Sequence, residues 1–178
     1  TQFVGCVFAM GFGMSALCVA EVSGPLAGWG LNFQGQANVP AGTFIAVSGG
    51  AFHSLAIRAD GTLAGWGSNQ KGQINVPSGT FTVVAAGWEH SLAIRNDGTL
   101  FAWGSNDEGQ MNNIPTGTFI AADAGVRHSV AIRSDGTLVA WGSNNEGQLN
   151  NVPTGAFTAV AAGGYHSVAL RMDGTLGA

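Results

Sequence analysis

The composition of this 178-residue chain excludes several protein classes. It contains 29 Gly, 46% hydrophobic and only 9% charged residues, whereas an ordinary soluble domain has roughly 25% charged residues. Such a chain is too apolar for a disordered protein and too poor in charge for a coiled coil or a basic nucleic-acid binder. The Gly has no three-residue period with matching Pro, which excludes a collagen-like chain. The length suits a single globular domain rich in turns.

Charge and cysteine content narrow the choice of partners. The net charge is -4, and four Arg and four Asp recur at matching places and cancel. The remaining charged residues are two positive ones, Lys71 and Arg127, and six acidic ones. Because affinity for nucleic acids comes mainly from Lys and Arg that neutralise phosphates, a nucleic-acid partner is not expected. Cys6 and Cys18 are the only cysteines, so neither a disulfide framework nor a Cys-based zinc site can hold the main body together.

An internal repeat determines the expected fold. Trp-Gly pairs begin at residues 29, 66, 103 and 141, and His-Ser pairs begin at residues 53, 90, 128 and 166. The spacing is 37 or 38 residues. The additional residue falls in an Asn stretch, where Gly-Gln-Ile-Asn-Val-Pro becomes Gly-Gln-Met-Asn-Asn-Ile-Pro, which predicts a loop there. A period of this length is typical of repeat architectures.

The chain begins with an apolar segment, residues 1–20, that contains no charge. It resembles a secretory signal peptide cleaved after Ala20, although the basic region is absent. If it is a signal, the protein is secreted or lies at the cell surface, in bacterial-type export. Two alternatives are a degenerate first repeat, because Gly11-Phe12-Gly13-Met14-Ser15 matches Gly87-Trp88-Glu89-His90-Ser91, and a single transmembrane anchor. The cleaved chain would contain no membrane span.

Within one unit the sequence predicts three strands, termed inner, middle and outer. An apolar inner strand, Phe81–Ala86, is followed by an alternating middle strand, His90–Arg95, and an outer strand over residues 99–103. Asp97-Gly98 between the last two predicts a hairpin with a tight primed turn, because Gly accepts positive φ. Residues 104–117 form a long ordered connection. The units fall near residues 45–81, 82–119 and 120–157, with a partial unit at 158–178.

The two faces of the middle strand predict how the units pack. His90, Leu92 and Ile94 point to one face, and Ser91, Ala93 and Arg95 point to the other. A bulky face and a small face on every unit favour stacking around an axis, and the inner strands end in small residues suited to crowding near that axis. The fold class predicted is therefore all-β, a β-propeller of three-stranded blades.

The repeat resembles a known family. The pattern Gly-x-x-His-Ser-x-Ala-x-Arg-x-Asp-Gly-Thr-Leu-x-x-Trp-Gly-Ser-Asn-x-x-Gly-Gln, at residues 87–110 and again at 125–148, is similar to the repeats of the regulator-of-chromosome-condensation superfamily. The short period looks most like the branch containing the second type of β-lactamase inhibitor protein. The resemblance implies a seven-bladed ring, but only four Trp-Gly pairs are present. Three alternatives stay open: a fragment of a longer chain, a smaller ring closed by mixing terminal strands with residues 25–30 as an outer strand, or an oligomer in which another chain completes the ring.

The adjacent His and Ser do not predict an enzyme. Neighbours on a strand point to opposite faces, so His53 and Ser54 cannot act as base and nucleophile within one unit. The arrangement also occurs four times, whereas a catalytic site is needed once. The His residues are predicted to be buried and bonded to backbone, and the Arg-x-Asp pairs to tie the hairpins. The protein is therefore expected to be neither an enzyme nor a metalloprotein, and to need no cofactor.

Binding is predicted where the repeats differ. Two pairs of positions vary most, one directly before His-Ser and one in the connection after the outer strand, and the topology places both on one rim. The candidate partner-binding residues are Phe52, Trp88, Glu89, Arg127, Tyr165, Phe33, Lys71, Asp107 and Glu108. Exposed aromatic rings beside charges are typical of protein interfaces.

A protein is the predicted partner of this rim. A glycan bound at aromatic platforms, or a purely structural surface array, is the alternative. Inhibition of β-lactamase as such is not favoured. Guanine-nucleotide exchange, which the superfamily name suggests, is disfavoured by the acidic rim and the signal-like segment.

Overall fold

Four antiparallel sheets of three strands make up the described protein. The computed structural model describes residues 24–174 and 176–177, so the signal-like segment 1–20 lies outside the described residues. In chain order the twelve strands are β1 (Phe44–Gly49), β2 (His53–Arg58), β3 (Leu63–Gly67), β4 (Phe81–Ala86), β5 (His90–Arg95), β6 (Leu100–Gly104), β7 (Phe119–Ala124), β8 (His128–Arg133), β9 (Leu138–Gly142), β10 (Phe157–Ala162), β11 (Ser167–Arg171) and β12 (Leu176–Gly177). Each consecutive set of three forms one sheet, or blade, with the middle strand at its centre. The described part of the chain contains no helix, and hence none that could cross a membrane.

The first predicted outer strand is absent. Residues 25–30 form no strand, and within the described part of the chain the one ladder contact of this region is an isolated bridge between Gly24 and Phe44. Leu26 nevertheless packs against the buried cluster of Phe44, Ala56 and Ala64. The segment therefore covers the small face of the first blade without being paired as a strand.

The Asp-Gly hairpins form, but with a different turn from the one predicted. Gly98 has a φ of 84°, and its N–H donates to the Arg95 carbonyl at 2.8 Å. Asn96 and Asp97 are not among the residues with positive φ. The turn is therefore a type I turn followed by a left-handed Gly, which needs one positive φ instead of two. Asp97 accepts a hydrogen bond from the Thr99 N–H at 2.9 Å, which fixes the turn locally.

Arg95 of the second blade contacts aromatic rings and backbone, and not Asp97 as the sequence predicted. The Arg95 guanidinium lies 4.3 Å from the centroid of the Phe101 ring and 5.7 Å from that of Phe81. Its Nη2 donates to the Ser78 carbonyl at 2.8 Å. The side chain therefore joins the outer strand to the entry of the inner strand by cation–π and backbone contacts, because the planar guanidinium stacks on rings better than it reaches a carboxylate already held by Thr.

Blades pack by placing a bulky face on a small one. Leu55 and Ile57 of the first blade share a buried cluster with Ala86 and Ala93 of the second. The next junction repeats this arrangement with Leu92 and Ile94 against Ala124 and Ala131. Fully burying one such aliphatic side chain stabilises a fold by about 1.5–3 kcal/mol. The predicted interdigitation is confirmed at both junctions.

A hydrogen bond joins each buried His to the Ser of the following blade. His53 Nε2 lies 2.9 Å from Ser91 Oγ, and His90 Nε2 lies 3.0 Å from Ser129 Oγ. His128 Nε2 is likewise 2.9 Å from Ser167 Oγ. All three imidazoles are fully buried, as predicted. The Nε2 partner is a side chain of the next blade, because the His projects from the bulky face onto the Ser of the small face opposite.

The hydrogen bonds at the first junction define the state of His53. Ser91 Oγ donates its single proton to the Gln73 carbonyl at 2.8 Å, so it must accept from the His53 Nε2–H. The Nδ1 of His53 is buried and has no hydrogen-bond partner. The imidazole is therefore neutral, and burial lowers its pKa to about 4. Burial likewise lowers the pKa of His90 to about 3 and that of His128 to about 4.

The inner strands approach one another closely at the predicted axis. A Cβ on Gly87 would lie 2.6 Å from the Gly125 carbonyl oxygen of the next blade and 2.6 Å from the His90 ring. Only a residue without a side chain fits between these groups. On the same strands, Ser48 Oγ accepts from the Ala86 N–H at 3.0 Å and Asp123 Oδ2 accepts from the Ala162 N–H at 2.7 Å. The crowding inferred from the small inner-strand residues is confirmed.

The long connections are held by their own side chains, as predicted. Asn69 Nδ2 donates to Asn75 Oδ1 at 2.9 Å, while Asn69 Oδ1 accepts from the Ile74 N–H at 3.2 Å. Gln73 Oε1 accepts from the Lys71 N–H at 2.9 Å. The additional residue of the longer connections is an Asn with a φ of 54° at Asn113 and of 53° at Asn151. Asn tolerates this left-handed conformation better than most residues.

Acid is expected to unfold the protein through the buried imidazoles. In the unfolded chain these His groups bind protons below about pH 6.5, while the folded blades bind them only near pH 4 or below. The free energy of unfolding should thus be unaffected by them above pH 6.5. It should fall between pH 6.5 and 5 by up to about 1.4 kcal/mol per pH unit for each His.

Urea unfolding at a series of pH values measures this slope. A variant with His90→Gln should show a shallower slope, since one buried imidazole fewer then takes up a proton on unfolding. A stability that stays flat from pH 7 to 5 would show that the three imidazoles are not held neutral.

A pair of glycine substitutions tests the close approach of the inner strands. Gly87→Ala should lower the free energy of unfolding by roughly 1–3 kcal/mol, because its Cβ would overlap backbone of the next blade. Gly49→Ala is the matched control, since a Cβ at Gly49 meets no atom within 4 Å. Chemical denaturation measures both, and equal effects would contradict the packing described.

Candidate functional site

The variable positions meet on one rim of the blades. His90 pairs with Gly104 at this end of the sheet, and Ile94 pairs with Leu100 at the end of the Asp-Gly turn. The Ser105 N–H donates to the Glu89 carbonyl at 2.8 Å, which brings the start of the connection beside the residues that precede His-Ser. We call this surface the variable rim; it comprises residues 51–52, 88–89, 126–127 and 164–165 together with 33–34, 70–71, 107–108 and 145–146.

Aromatic side chains form the apolar part of the variable rim. Phe52 and Trp88, from consecutive blades, are both half-buried and make an edge-to-face contact with ring centroids 5.6 Å apart. Tyr165 is 56% exposed and Phe33 is 87% exposed. Two rings are thus positioned against each other and two present most of their surface to solvent.

The charged residues of the variable rim contact one another. Lys71 Nζ lies 2.6 Å from Asp107 Oδ2, and Arg127 Nη1 lies 2.7 Å from Glu108 Oε1. Asn145 Nδ2 also donates to Glu108 at 3.3 Å. The Lys71 and Asp107 pair joins two consecutive connections, and the Arg127 and Glu108 pair joins a connection to the residues before His-Ser of the next blade. Four of the predicted partner-binding residues therefore already pair within the protein, and they brace the loops around the aromatic rings.

The ion pairs change the titration of their members. The hydrogen bond to Asp107 raises the pKa of Lys71, with the charges of Asp107 and, to a smaller extent, Glu89 acting in the same direction. The hydrogen bond to Lys71 lowers the pKa of Asp107. Both side chains are well exposed, so the pair is screened by salt and fixes loop position more than it stabilises the fold.

The His53 and Ser91 contact at the first junction is closed to a substrate. The two side chains are within hydrogen-bond distance, but neither has any surface exposed to solvent. Nor do the residues from 24 to 174, with 176–177, contain a group of three His, Cys, Asp or Glu side chains arranged to hold a metal ion.

A family model matches three of the blades. The model of the regulator of chromosome condensation (RCC1) repeat matches residues 44–73, 81–110 and 119–148, which together make up half of the chain. The chain belongs to the RCC1 repeat family. Each matched segment begins at the inner strand of one blade and ends at the Gln of its connection, such as Gln73, so the family pattern coincides with the blade as the structure shows it.

Solved RCC1-type propellers share this fold. The structure of Prp20p from Saccharomyces cerevisiae has a TM-score of 0.68 at 20% identity, over 79% of this chain and 50% of Prp20p. Yeast RCC1 (Prp20) in its complex with Kap60 has a TM-score of 0.69 at 18% identity, over 93% and 56%. The ectodomain of the receptor kinase CR4 from Physcomitrella patens has a TM-score of 0.65 at 21% identity, over 75% and 40%. At these identities the likeness shows a common β-propeller fold.

This chain spans about half the length of those solved structures. Among curated protein sequences, none matches the chain.

Sequence reasoning missed the contacts that cross between repeats. Lys71 and Asp107 occupy neighbouring positions of two consecutive connections and carry opposite charges, so their pairing could have been inferred. The His to Ser bond carries a weaker signal. The sequence predicted that the bulky face of one blade meets the small face of the next. It did not show that the His of one face lies opposite the Ser of the other.

Breaking one ion pair should reveal the pairing directly. In Lys71→Gln the titration midpoint of Asp107 should rise towards that of an ordinary carboxyl, because the hydrogen bond that lowers its pKa is lost. NMR detection of side-chain carboxyl carbons against pH measures this. Asp97 provides an internal control, since its pKa is lowered mainly by the Thr99 N–H and should not move. An unchanged Asp107 midpoint would show that the pair does not form in solution.

Proposed function

We propose that this RCC1-type propeller is a non-enzymatic scaffold that binds another protein through the variable rim. The observation that carries the proposal is the set of aromatic rings on this rim: Tyr165 and Phe33 are largely exposed, and Trp88 and Phe52 are half-buried beside them. Rings of this kind supply a large contact area at a small cost in side-chain entropy.

The braced loops support the same function. One ion pair joins two connections, and the other joins a connection to Arg127 in the third blade. The rings are therefore presented from a frame that has little freedom to lose on binding. The charged residues then lie around the aromatic patch, where a polar rim is usual in protein interfaces. We propose that the aromatic rings make the main contacts with the partner and that the charged residues contribute less.

The structural relatives support a protein as the partner class. The structural study of Prp20p also describes its binding to Gsp1p and histones. Yeast RCC1 was crystallised bound to Kap60. Those partners belong to those proteins. For this chain we propose a secreted or cell-surface protein as the partner, on the basis of the signal-like segment, and not a nucleic acid, on the basis of the acidic balance of the rim.

A photo-crosslinking experiment tests the partner class and the surface together. The photoreactive amino acid p-benzoylphenylalanine replaces Trp88 or Tyr165 in the full chain, which is then exposed to the extracellular proteins and cell-surface fraction of its source. Specific protein adducts are expected from both positions. Asn96 and Ser134, exposed in the turns at the opposite end of the blades, are the matched control positions and should give none.

A glycan array with the unmodified chain runs beside this experiment. Adducts of similar yield from both ends of the blades, or no adducts, would contradict rim-mediated protein binding. Binding on the array that is lost in Tyr165→Ala would instead favour a glycan, for which the exposed Tyr165 and Phe33 rings would be stacking platforms.

A further inference from the structure

The centre of the variable rim carries one carboxylate that has no ion-pair partner. Lys71 is paired with Asp107, and Arg127 is paired with Glu108. The Glu89 side chain is partly exposed on the same rim and pairs with no cation in the part of the chain that the structure describes. These five side chains are the charged ones at the centre of the rim, and three acidic groups against two basic ones leave a negative charge that the protein does not compensate.

The neighbouring cation cannot neutralise Glu89. The hydrogen bond and the charge of Asp107 raise the pKa of Lys71, and the charge of Glu89 adds a smaller contribution in the same direction. The Lys71 ammonium nevertheless lies 2.6 Å from the Asp107 carboxylate, which it already compensates. One cation cannot neutralise two carboxylates. The Glu89 carboxylate therefore keeps the capacity to accept hydrogen bonds from a cation of a partner.

The aromatic rings beside Glu89 are held in place by main-chain contacts. The Trp88 N–H donates to the Gly125 carbonyl at 3.3 Å, and the Glu89 carbonyl accepts from the Ser105 N–H at 2.8 Å. The Trp88 and Phe52 rings are inclined at 89° to each other. In such an edge-to-face pair, each ring keeps at least one face that the other ring does not cover, and both side chains are partly exposed. An aromatic surface thus lies next to a carboxylate without a partner.

Guanidinium groups already lie on aromatic rings elsewhere in this chain. In every blade the hairpin Arg lies over the ring of the Phe that begins the blade, with distances to the ring centroid of 4.9–5.7 Å. A guanidinium is planar and weakly hydrated, so it can contact a ring while its N–H groups donate to a carboxylate. The Lys ammonium is compact and strongly hydrated, and it gains less from such a site.

We propose that the protein partner of the variable rim places an Arg side chain at this site, with its guanidinium against the Trp88 and Phe52 rings and its N–H groups donating to the Glu89 carboxylate. The inference rests on the proposed function and specifies the chemistry of the partner. An acidic segment would be repelled by the uncompensated charge. An apolar segment would bury the carboxylate without a hydrogen-bond partner, which is costly. A guanidinium satisfies the rings and the carboxylate together.

A library of random peptides displayed on phage and selected on the full chain provides the test. Arg should be at least about threefold more frequent in the selected peptides than in the unselected library. The most frequent Arg-containing peptide is then synthesised with a fluorescein label, and its binding is measured by fluorescence anisotropy. Citrulline in place of its Arg keeps the shape and removes the charge, and should weaken binding at least about tenfold. A selection without Arg enrichment, or equal binding of the citrulline peptide, would overturn the proposal.

Variants of the protein locate the Arg of the peptide. Trp88→Ala removes a ring without changing the charge and should weaken binding at least about tenfold, and Glu89→Gln should weaken it about fivefold. Asn96→Lys is the matched control, because it changes the net charge as Glu89→Gln does, but in an exposed turn at the opposite end of the blades. It should bind like the unmodified chain. Circular dichroism checks that all three variants keep the β fold. Binding that survives Trp88→Ala would show diffuse charge attraction and would overturn the site.

Photo-crosslinking from Tyr165 distinguishes a failure of this inference from a failure of the proposed function. Protein adducts that form in the unmodified background and are lost in the Glu89→Arg background support both. Adducts that persist with Glu89→Arg leave rim-mediated protein binding in place and overturn the Arg site. The absence of adducts in both backgrounds contradicts protein binding itself. An adduct of twice the mass of the chain would identify a second copy as the occupant and overturn the binding of another protein.

Discussion

The contact between the bulky face of one blade and the small face of the next is the constraint on which the molecule depends. A single three-stranded sheet cannot bury its apolar residues alone, so each blade gains a core only by covering its neighbour. The His to Ser hydrogen bond lies within this contact and fixes its register, since the Nε2–H of His53 has one acceptor within reach. Apolar packing supplies the energy, and the hydrogen bond selects the alignment.

That alignment also determines the geometry of the variable rim. Because each middle strand is held in the same register against the next blade, the residues before His-Ser arrive at equivalent places. Phe52 and Trp88 can therefore meet across a junction. The connections also arrive at equivalent places, which brings Lys71 to Asp107 of the next connection and Glu108 to Arg127 of the next blade. The shape of the variable rim is thus a consequence of blade stacking.

The repeat predicted the strands and their packing because it exposes local signals several times over. Alternation in the middle strand, the Asp-Gly turns and the Asn-rich connections are properties of short segments, and all lie where the sequence indicated. The wrong predictions have a common physical cause, since the true partner lies on another strand or another blade. The partner of Arg95 was taken to be the nearby Asp97, although an aromatic ring from another strand was available. The partner of His53 was taken to be backbone, although it lies 38 residues away at Ser91.

The candidate site was predictable only in part for a related reason. Variation among repeats located the rim, since a frame keeps its residues constant and a surface need not. It could not distinguish charges that face solvent from charges that face each other, because that depends on distances between blades.

The left-handed Asn113 and Asn151 allow the connections to differ in length while the strands stay in place. Both sit in loops whose remaining hydrogen bonds match those of the shorter connection, so the additional residue is absorbed at one backbone position. Copies of the unit can for this reason drift in size without disturbing their neighbours. An ancestral duplication would then leave the outline of the surface free to diverge while the interior stays uniform.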